Sequence, residues 1–195
     1  FAVSTLYYNQ PLLASMGASF GRSDAQAGQI AMLTQLGYAS GLFLLVPLGD
    51  RVDRKRLIIA LLACNMVSLL AVAIAPNFNL LKLASFAVGA SAVSAQIIIP
   101  TMSGLADPSL RGRVVGTLLS GLSAGLLFAR TLSGFVGASE GWRMMFFIAV
   151  AIDVLVMAVI ILRFPSTGQA TSLPYTALLC SLWTLFKGEP TVRAA

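Results

Sequence analysis

The sequence predicts an all-α membrane protein with six transmembrane helices. Of its 195 residues, 57% are hydrophobic and only 10% are charged, whereas an ordinary soluble domain is about 25% charged. Its mean hydropathy is +0.87. A soluble fold of this length could not bury so much apolar surface, so the surplus must face lipid.

Six segments provide the predicted spans, since a spanning helix needs about 20 mainly apolar residues. The sequence from Ser23 to Gln26, before the second span, is typical of a capping box. The predicted spans are residues 1–20, 24–48, 57–75, 80–103, 114–137 and 143–162. Residues 1–163 thus form one membrane bundle. Residues 164–195 are predicted to be a linker with a short amphipathic helix, which would lie on the membrane or pack on protein.

The Lys and Arg residues are unevenly divided between the two sides of these spans. Nine lie in loops 49–56 and 106–113, at Arg163 and in the tail 164–195, against three on the other side. Because cytoplasmic loops carry the excess of Lys and Arg, these loops and the tail are predicted to be cytoplasmic. The protein would then lie in the cytoplasmic (inner) membrane. The three residues on the opposite side are Arg22, Lys82 and Arg143.

Several functional classes are disfavoured by what the sequence contains. It has no histidine, and Cys64 and Cys180 have no partners at metal-binding spacing. These features predict that the protein is not an enzyme and binds neither a metal ion nor a cofactor. The net charge of +6 is spread over short loops, which predicts no nucleic-acid partner. A nucleotide-binding GxxxxGK[ST] loop is also missing, so transport would draw on a proton or ion gradient.

Two motifs carry a resemblance to the major facilitator superfamily. The loop between the second and third spans resembles the family signature G-x-x-x-D-R-x-G-R-K/R through Asp50, Arg51, Arg54 and Lys55. The fifth span resembles the glycine pattern of the family's drug/proton antiporters. The matching glycines are Gly112, Gly121 and Gly125.

Three positions depart from the family's proton-antiporter patterns. Leu126 and Arg130 stand in the fifth span where a proline and a glycine are usual, and Ser85 stands where many proton-coupled members have an arginine. The resemblance nevertheless extends from Leu6 to Arg163. Within the family, short sequence segments along this range resemble bacterial efflux-type members. It implies a bundle built as a 3+3 inverted repeat, one of two six-helix halves. The chain would then be the amino-terminal half, truncated before the carboxy-terminal six-helix half, which would be its missing partner.

The charged loop has two interpretations. Its basic residues could simply anchor the topology against anionic lipid headgroups. The resemblance implies instead that Asp50, Arg51, Arg54 and Lys55 form a gate, whose ion pairs break and reform between states.

Arg130 lies well inside the fifth predicted span, roughly 7 Å from its centre at 1.5 Å per residue. A buried arginine costs about 2.5–3.5 kcal/mol on translocon scales, so it needs a partner, a watery cavity or an escape to the interface. It could bind an anionic group of the substrate or form a structural ion pair. Asp153, in the sixth span, is the predicted pairing candidate, and it could be a proton site or a structural residue.

Other polar side chains in the spans are candidates for substrate binding. Tyr8, Asn9 and Gln10 adjoin Pro11, which tends to kink the first span. Gln35 and Gln96 lie in the second and fourth spans. The alternative for all five is hydrogen bonding between helices. Gly112, Gly121 and Gly125 are predicted to serve helix packing, since small residues let backbones approach.

Taken together, these features favour a secondary transporter of a small solute that works by alternating access, of the efflux type. The solute could be a drug, a sugar or a small organic compound, and the lipid bilayer and a proton or ion gradient would be the other partners. The alternative is a non-transporting membrane protein, such as a sensor or an assembly subunit. A protein of this second class would differ from a transporter in having no functional role for Arg130.

Overall fold

The computed structural model describes residues 4–165, and these are helical with no strand among them. This confirms the all-α class. Short 3₁₀ turns occur at Ser4–Leu6, Gln10–Leu12 and Pro47–Asp50. The α-helices are α1 (Leu13–Ser19), α2 (Asp24–Leu44), α3 (Arg54–Ala73), α4 (Phe78–Ser91), α5 (Ser94–Leu105), α6 (Arg111–Ser139) and α7 (Trp142–Arg163). The amphipathic helix predicted within 164–195 lies outside the described residues.

In the described part of the chain, five helical segments have the length and the apolar composition needed to cross a membrane. They correspond to the second through sixth predicted spans. Their limits are Asp24–Asp50, Arg54–Ala73, Phe78–Leu105, Arg111–Ser139 and Trp142–Arg163. The capping box at Ser23 is confirmed, because its side chain accepts a hydrogen bond from the Gln26 backbone while the Gln26 side chain accepts one from Ser23.

The first predicted span is not a continuous helix where the structure describes it. Two 3₁₀ turns precede α1, which has only seven residues. Pro11 lies in the second turn, where its missing backbone N–H breaks the regular hydrogen-bond pattern. The Ser133 hydroxyl of α6 donates to the Tyr8 carbonyl at 2.6 Å and so satisfies one freed backbone group. Irregular backbone at membrane depth must be buried in protein or line a water-filled cavity.

The fourth predicted span is also divided, into α4 and α5, at Ala92 and Val93. Both residues at the break are buried. The apolar run through 80–103 continues across this point, which is why hydropathy alone predicted a single helix. Ser91, the last residue of α4 before the break, donates a hydrogen bond to Asn65 of α3 and contributes to the buried network described below.

Helices α2 and α4 cross in direct backbone contact. A Cβ atom built on Gly37 would overlap the Phe86 carbonyl oxygen, and one built on Gly89 would overlap the Thr34 carbonyl oxygen. Glycine alone allows this approach. The rest of the bundle packs around the pair, with α3 against α4 and α7, and α6 against α5, α7 and the 3₁₀ turns. The central core includes Met16, Ile30, Leu69, Leu81 and Met145.

Candidate functional site

Arg130 is exposed on α6, and its guanidinium lies over the ring of Tyr7, 4.9 Å from the ring centroid. Tyr7 belongs to the irregular segment between the two 3₁₀ turns. The Ser133 bond to Tyr8 fastens that segment to α6, which places the Tyr7 ring beside Arg130. A cation over an aromatic face is attracted by about 0.5–1 kcal/mol at exposed sites, so the arginine is oriented without being neutralised.

A second polar pair lies close to this one. The Gln96 amide of α5 donates to the Tyr38 hydroxyl of α2 at 3.0 Å. Tyr7 and Tyr38 both pack against the small cluster formed by Leu6 and Ala92. We call the four residues Tyr7, Tyr38, Gln96 and Arg130 the polar surface. It joins a cation, an amide and two phenol rings on one side of an otherwise apolar bundle.

Two further predicted substrate residues are also exposed. Gln10 lies in the second 3₁₀ turn, and Gln35 lies on α2 one turn before Tyr38. Residues three apart on a helix are neighbours, so Gln35 extends the polar surface along α2. Tyr7 and Tyr38 were missed by sequence reasoning. The available signal was a phenol within an apolar span, since a tyrosine hydroxyl at depth usually finds a hydrogen-bond partner.

Tyr8 and Asn9 point into the bundle instead. The Asn9 amide donates to the Thr34 hydroxyl of α2 at 3.0 Å, which is the helix-to-helix alternative for this residue. Asn9 also lines a small cavity with Ser85, and its side-chain oxygen has no partner among the described residues. Substrate contact by Tyr8 and Asn9 stays a prediction, and it requires these two buried side chains to move.

Asp153 is buried, with 1% of its surface exposed, and it does not pair with Arg130. That predicted pairing is wrong. The Asn65 amide of α3 donates to the Asp153 carboxylate at 2.6 Å, and the Ser91 hydroxyl donates to the Asn65 carbonyl at 3.1 Å. We call Asp153, Asn65 and Ser91 the buried network. It connects α7, α3 and the end of α4 at the break.

Replacing Asn65 by leucine is expected to lower the free energy of unfolding by about 2 kcal/mol, because the Asp153 carboxylate then loses its buried donor. Adding Asp153→Leu to that variant should recover much of the loss, since a matched apolar pair removes both unsatisfied groups. Unfolding in detergent, followed by helical content for both single variants and the double variant, measures the coupling. Strictly additive effects would contradict the network, because contacting residues couple.

The predicted gating loop is built around Arg54. Its guanidinium forms an ion pair with Asp50 at 3.1 Å and donates to the Gly49 carbonyl at 3.2 Å. It also donates to the Thr101 hydroxyl of α5 at 3.4 Å. Lys55 donates to the Ile161 carbonyl at the end of α7 at 2.8 Å, while Arg51 is exposed.

A groove of about 740 Å³ opens beside the Asp50–Arg54 pair. Its walls come from α2, the third 3₁₀ turn and α5, and they are mostly apolar. Gln96 reaches this groove from the polar surface, so the charged loop and the polar surface lie on the same side of the bundle. A role in gating remains a prediction.

The glycines of α6 are placed differently from one another. Gly125 is buried, whereas Gly112 and Gly121 are exposed, and a Cβ atom on either would meet nothing within 4 Å in the described structure. Helix packing by these two glycines therefore remains a prediction, for contacts outside the described residues. No group of three or more His, Cys, Asp or Glu able to hold a metal ion occurs among the residues described.

This architecture defines a multi-pass membrane bundle that exposes polar side chains on one side. Comparison with known families makes the assignment specific. The family model of the Major Facilitator Superfamily matches residues 1–194, and the chain belongs to that family. The resemblance to the major facilitator superfamily is thereby confirmed.

Curated relatives agree with this membership. The chain is 38% identical over 192 residues to the putative uncharacterized transporter YgaY of Escherichia coli, with 98% of this chain and 49% of YgaY covered. It is 29% identical over 161 residues to the 3-(3-hydroxy-phenyl)propionate transporter of E. coli, covering 80% and 40%. It is 29% identical over 160 residues to the purine ribonucleoside efflux pump NepI of E. coli, covering 80% and 39%. The chain thus spans half or less of each of these relatives.

Proposed function

We propose that this chain is the substrate-binding amino-terminal half of a secondary transporter that moves a small organic solute by alternating access. The observation that carries the proposal is the exposed Arg130 within an apolar span. An arginine facing hydrocarbon at this depth is unfavourable by about 2.5–3.5 kcal/mol. The polar surface therefore faces a watery path, where a second six-helix half would close around the solute.

The chemistry of the polar surface favours an organic anion as the solute. The Arg130 guanidinium offers a planar fork of donors that matches a carboxylate. Two phenol rings beside it suit an apolar or aromatic body, and the Gln96 amide adds a hydrogen-bonding group. The relative named for 3-(3-hydroxy-phenyl)propionate handles a compound of this kind. NepI is named for a nucleoside, so family membership alone does not fix the solute.

The energy source and the direction belong to the same proposal. An ion gradient, with protons as one candidate, would drive export, and Asp153 would be the proton site. One observation supports that role. The Asp153 carboxylate is buried, and the network connects it to Ser91 at the break in the fourth span. The loops 49–56 and 106–113 and the tail 164–195 would face the cytoplasm, in the cytoplasmic membrane.

Asp50→Ala is expected to slow transport about fivefold while membrane insertion stays normal. The ion pair with Arg54 is partly open to solvent, with 58% of the Asp50 side chain and 28% of the Arg54 side chain exposed. Such pairs contribute up to about 1 kcal/mol, which limits the effect. Initial transport rates of the full-length protein test it, with Asp24→Ala as an exposed control outside the loop. Equal rates for Asp50→Ala and the parent would leave the loop only its anchoring role.

The decisive experiment is reconstitution of the full-length transporter in liposomes with an imposed pH gradient. The panel should contain an aromatic carboxylate, its uncharged amide, a nucleoside and a sugar. Gradient-dependent flux of the carboxylate above its amide is the expected result, and Asp153→Asn should remove the dependence on the gradient. No flux of any compound would favour the alternative, a non-transporting membrane protein such as a sensor or an assembly subunit.

A further inference from the structure

A pocket of about 210 Å³ lies where α2 and α4 begin, at the end of the bundle opposite the Asp50 loop. Two cations and three side-chain amides line it, and none of the six lining residues in the described structure is acidic. The lining residues are Arg22, Gln26, Gln29, Phe78, Asn79 and Lys82. The pocket is separate from the polar surface and from the buried network.

The two cations are held in place by a single ring. The Arg22 guanidinium lies 5.6 Å and the Lys82 ammonium 5.4 Å from the centroid of Phe78. Phe78 is itself buried and packs against Phe20, which in turn packs against Trp142. Two like charges are thus kept near each other on a rigid support, and an anion bound between them would relieve their mutual repulsion.

The backbone adds positive potential at the same place. Helices α2 and α4 both start at the pocket, and the amino-terminal end of a helix carries partial positive charge from unpaired N–H groups. Cations there are unfavourable, yet Arg22 lies two residues before the start of α2 and Lys82 follows the first turn of α4. Asp24 at the start of α2 is exposed and does not line the pocket.

The amides complete a set of donors. The side-chain oxygen of Gln26 is already used, because it accepts a hydrogen bond from the Ser23 backbone at 3.3 Å. Its NH₂ group therefore remains as the part that can serve a ligand. Together with the amides of Gln29 and Asn79, it surrounds the two cations with groups that bond an oxyanion well.

We propose that this pocket binds one phosphate-type oxyanion, carried either by the headgroup of an anionic lipid or by free inorganic phosphate. Arg22 provides a fork of donors, Lys82 a compact charge and the amides the remaining hydrogen bonds. The pocket volume is large enough for a phosphate group with part of a headgroup. The site does not depend on the proposed transport function, because it lies away from the polar surface.

The test uses the purified protein in detergent. One arm measures retention of phosphatidylglycerol, against phosphatidylcholine, by native mass spectrometry. The other arm measures the thermal stability of delipidated protein in inorganic phosphate against chloride at equal ionic strength. We expect one tightly retained phosphatidylglycerol or a stabilisation specific to phosphate, and the arm that responds identifies the source. Two blank arms would overturn the proposal.

Variants connect the binding to the pocket. Arg22→Gln together with Lys82→Gln should weaken binding at least tenfold, and Arg22→Lys should retain part of it. The matched control is Arg143→Gln, which removes a cation at the same end that stacks on Trp142 at 4.2 Å but does not line the pocket. Helical content equal to the parent confirms that each variant is folded. Binding unchanged in the folded double variant, or lost equally in the control, would overturn the assignment.

Discussion

Replacing Gly37 by alanine is expected to lower the free energy of unfolding by about 3 kcal/mol, near the upper end for an overpacked core. The added methyl group would overlap the Phe86 carbonyl oxygen and lie 3.0 Å from the Ala90 backbone nitrogen. Both are main-chain atoms of α4, so no side-chain rotation can relieve the clash. The two helices must separate or shift. Thermal unfolding of the purified protein in detergent, followed by circular dichroism at 222 nm, measures the loss.

The matched control is the same substitution at Gly121, which also belongs to a GxxxG pair but lies in open space on α6. Alanine has a higher helix propensity than glycine, by about 1 kcal/mol in an exposed helix. Gly121→Ala should therefore leave stability unchanged or slightly higher. Equal effects at Gly37 and Gly121 would mean that α2 and α4 do not make the backbone contact described here.

The two GxxxG pairs, Gly37–Gly41 and Gly121–Gly125, have the same sequence pattern but different surroundings. The GxxxG pattern predicts that one face of a helix consists of small residues and allows close approach. It does not identify the helix that packs against that face. Gly121 and Gly125 were predicted to serve packing from the sequence, whereas Gly37 and Gly41 make the close contact with α4. The choice depends on how the helices are rotated, and rotation is set by the whole bundle.

The helical segments themselves were largely predictable, because about 20 apolar residues in a row have few alternatives to a membrane span. The two irregular places were harder. In the first span, Pro11 is a local sequence signal for an irregular helix. The break at Ala92 and Val93 has no such signal, because both residues are apolar and compatible with a helix.

The candidate site divides in the same way. Arg130 could be predicted because a charge in an apolar run is energetically conspicuous. Its contact with Tyr7 could not, because that ring is positioned by the irregular backbone of the first span. Charge complementarity suggested Asp153 for Arg130, but the carboxylate is satisfied by the neutral Asn65 amide. A neutral hydrogen-bond donor is enough to satisfy a buried carboxylate. Nothing in the sequence distinguishes such a donor from other polar residues.

Arg130→Gln is expected to reduce transport of an organic anion by about a hundredfold, while an uncharged analogue loses little. A hydrogen bond to a charged group contributes about 1.5–3 kcal/mol, and each 1.36 kcal/mol is a factor of ten in rate. Arg130→Lys should fall in between, because an ammonium keeps the charge and loses the planar fork. Competition uptake or efflux by the full-length protein in liposomes, with a carboxylate and its amide, provides the ratio.

The control for this prediction is Arg113→Gln, which removes an exposed arginine from the same helix but away from the polar surface. It should leave the carboxylate-to-amide ratio unchanged. A structural arginine would behave differently from a recognition arginine, since its loss would lower transport of both compounds together and reduce thermal stability. Discrimination between carboxylate and amide that survives in Arg130→Gln would assign the anion contact to another residue. The ratio, rather than the rate, therefore separates recognition of the solute from support of the fold.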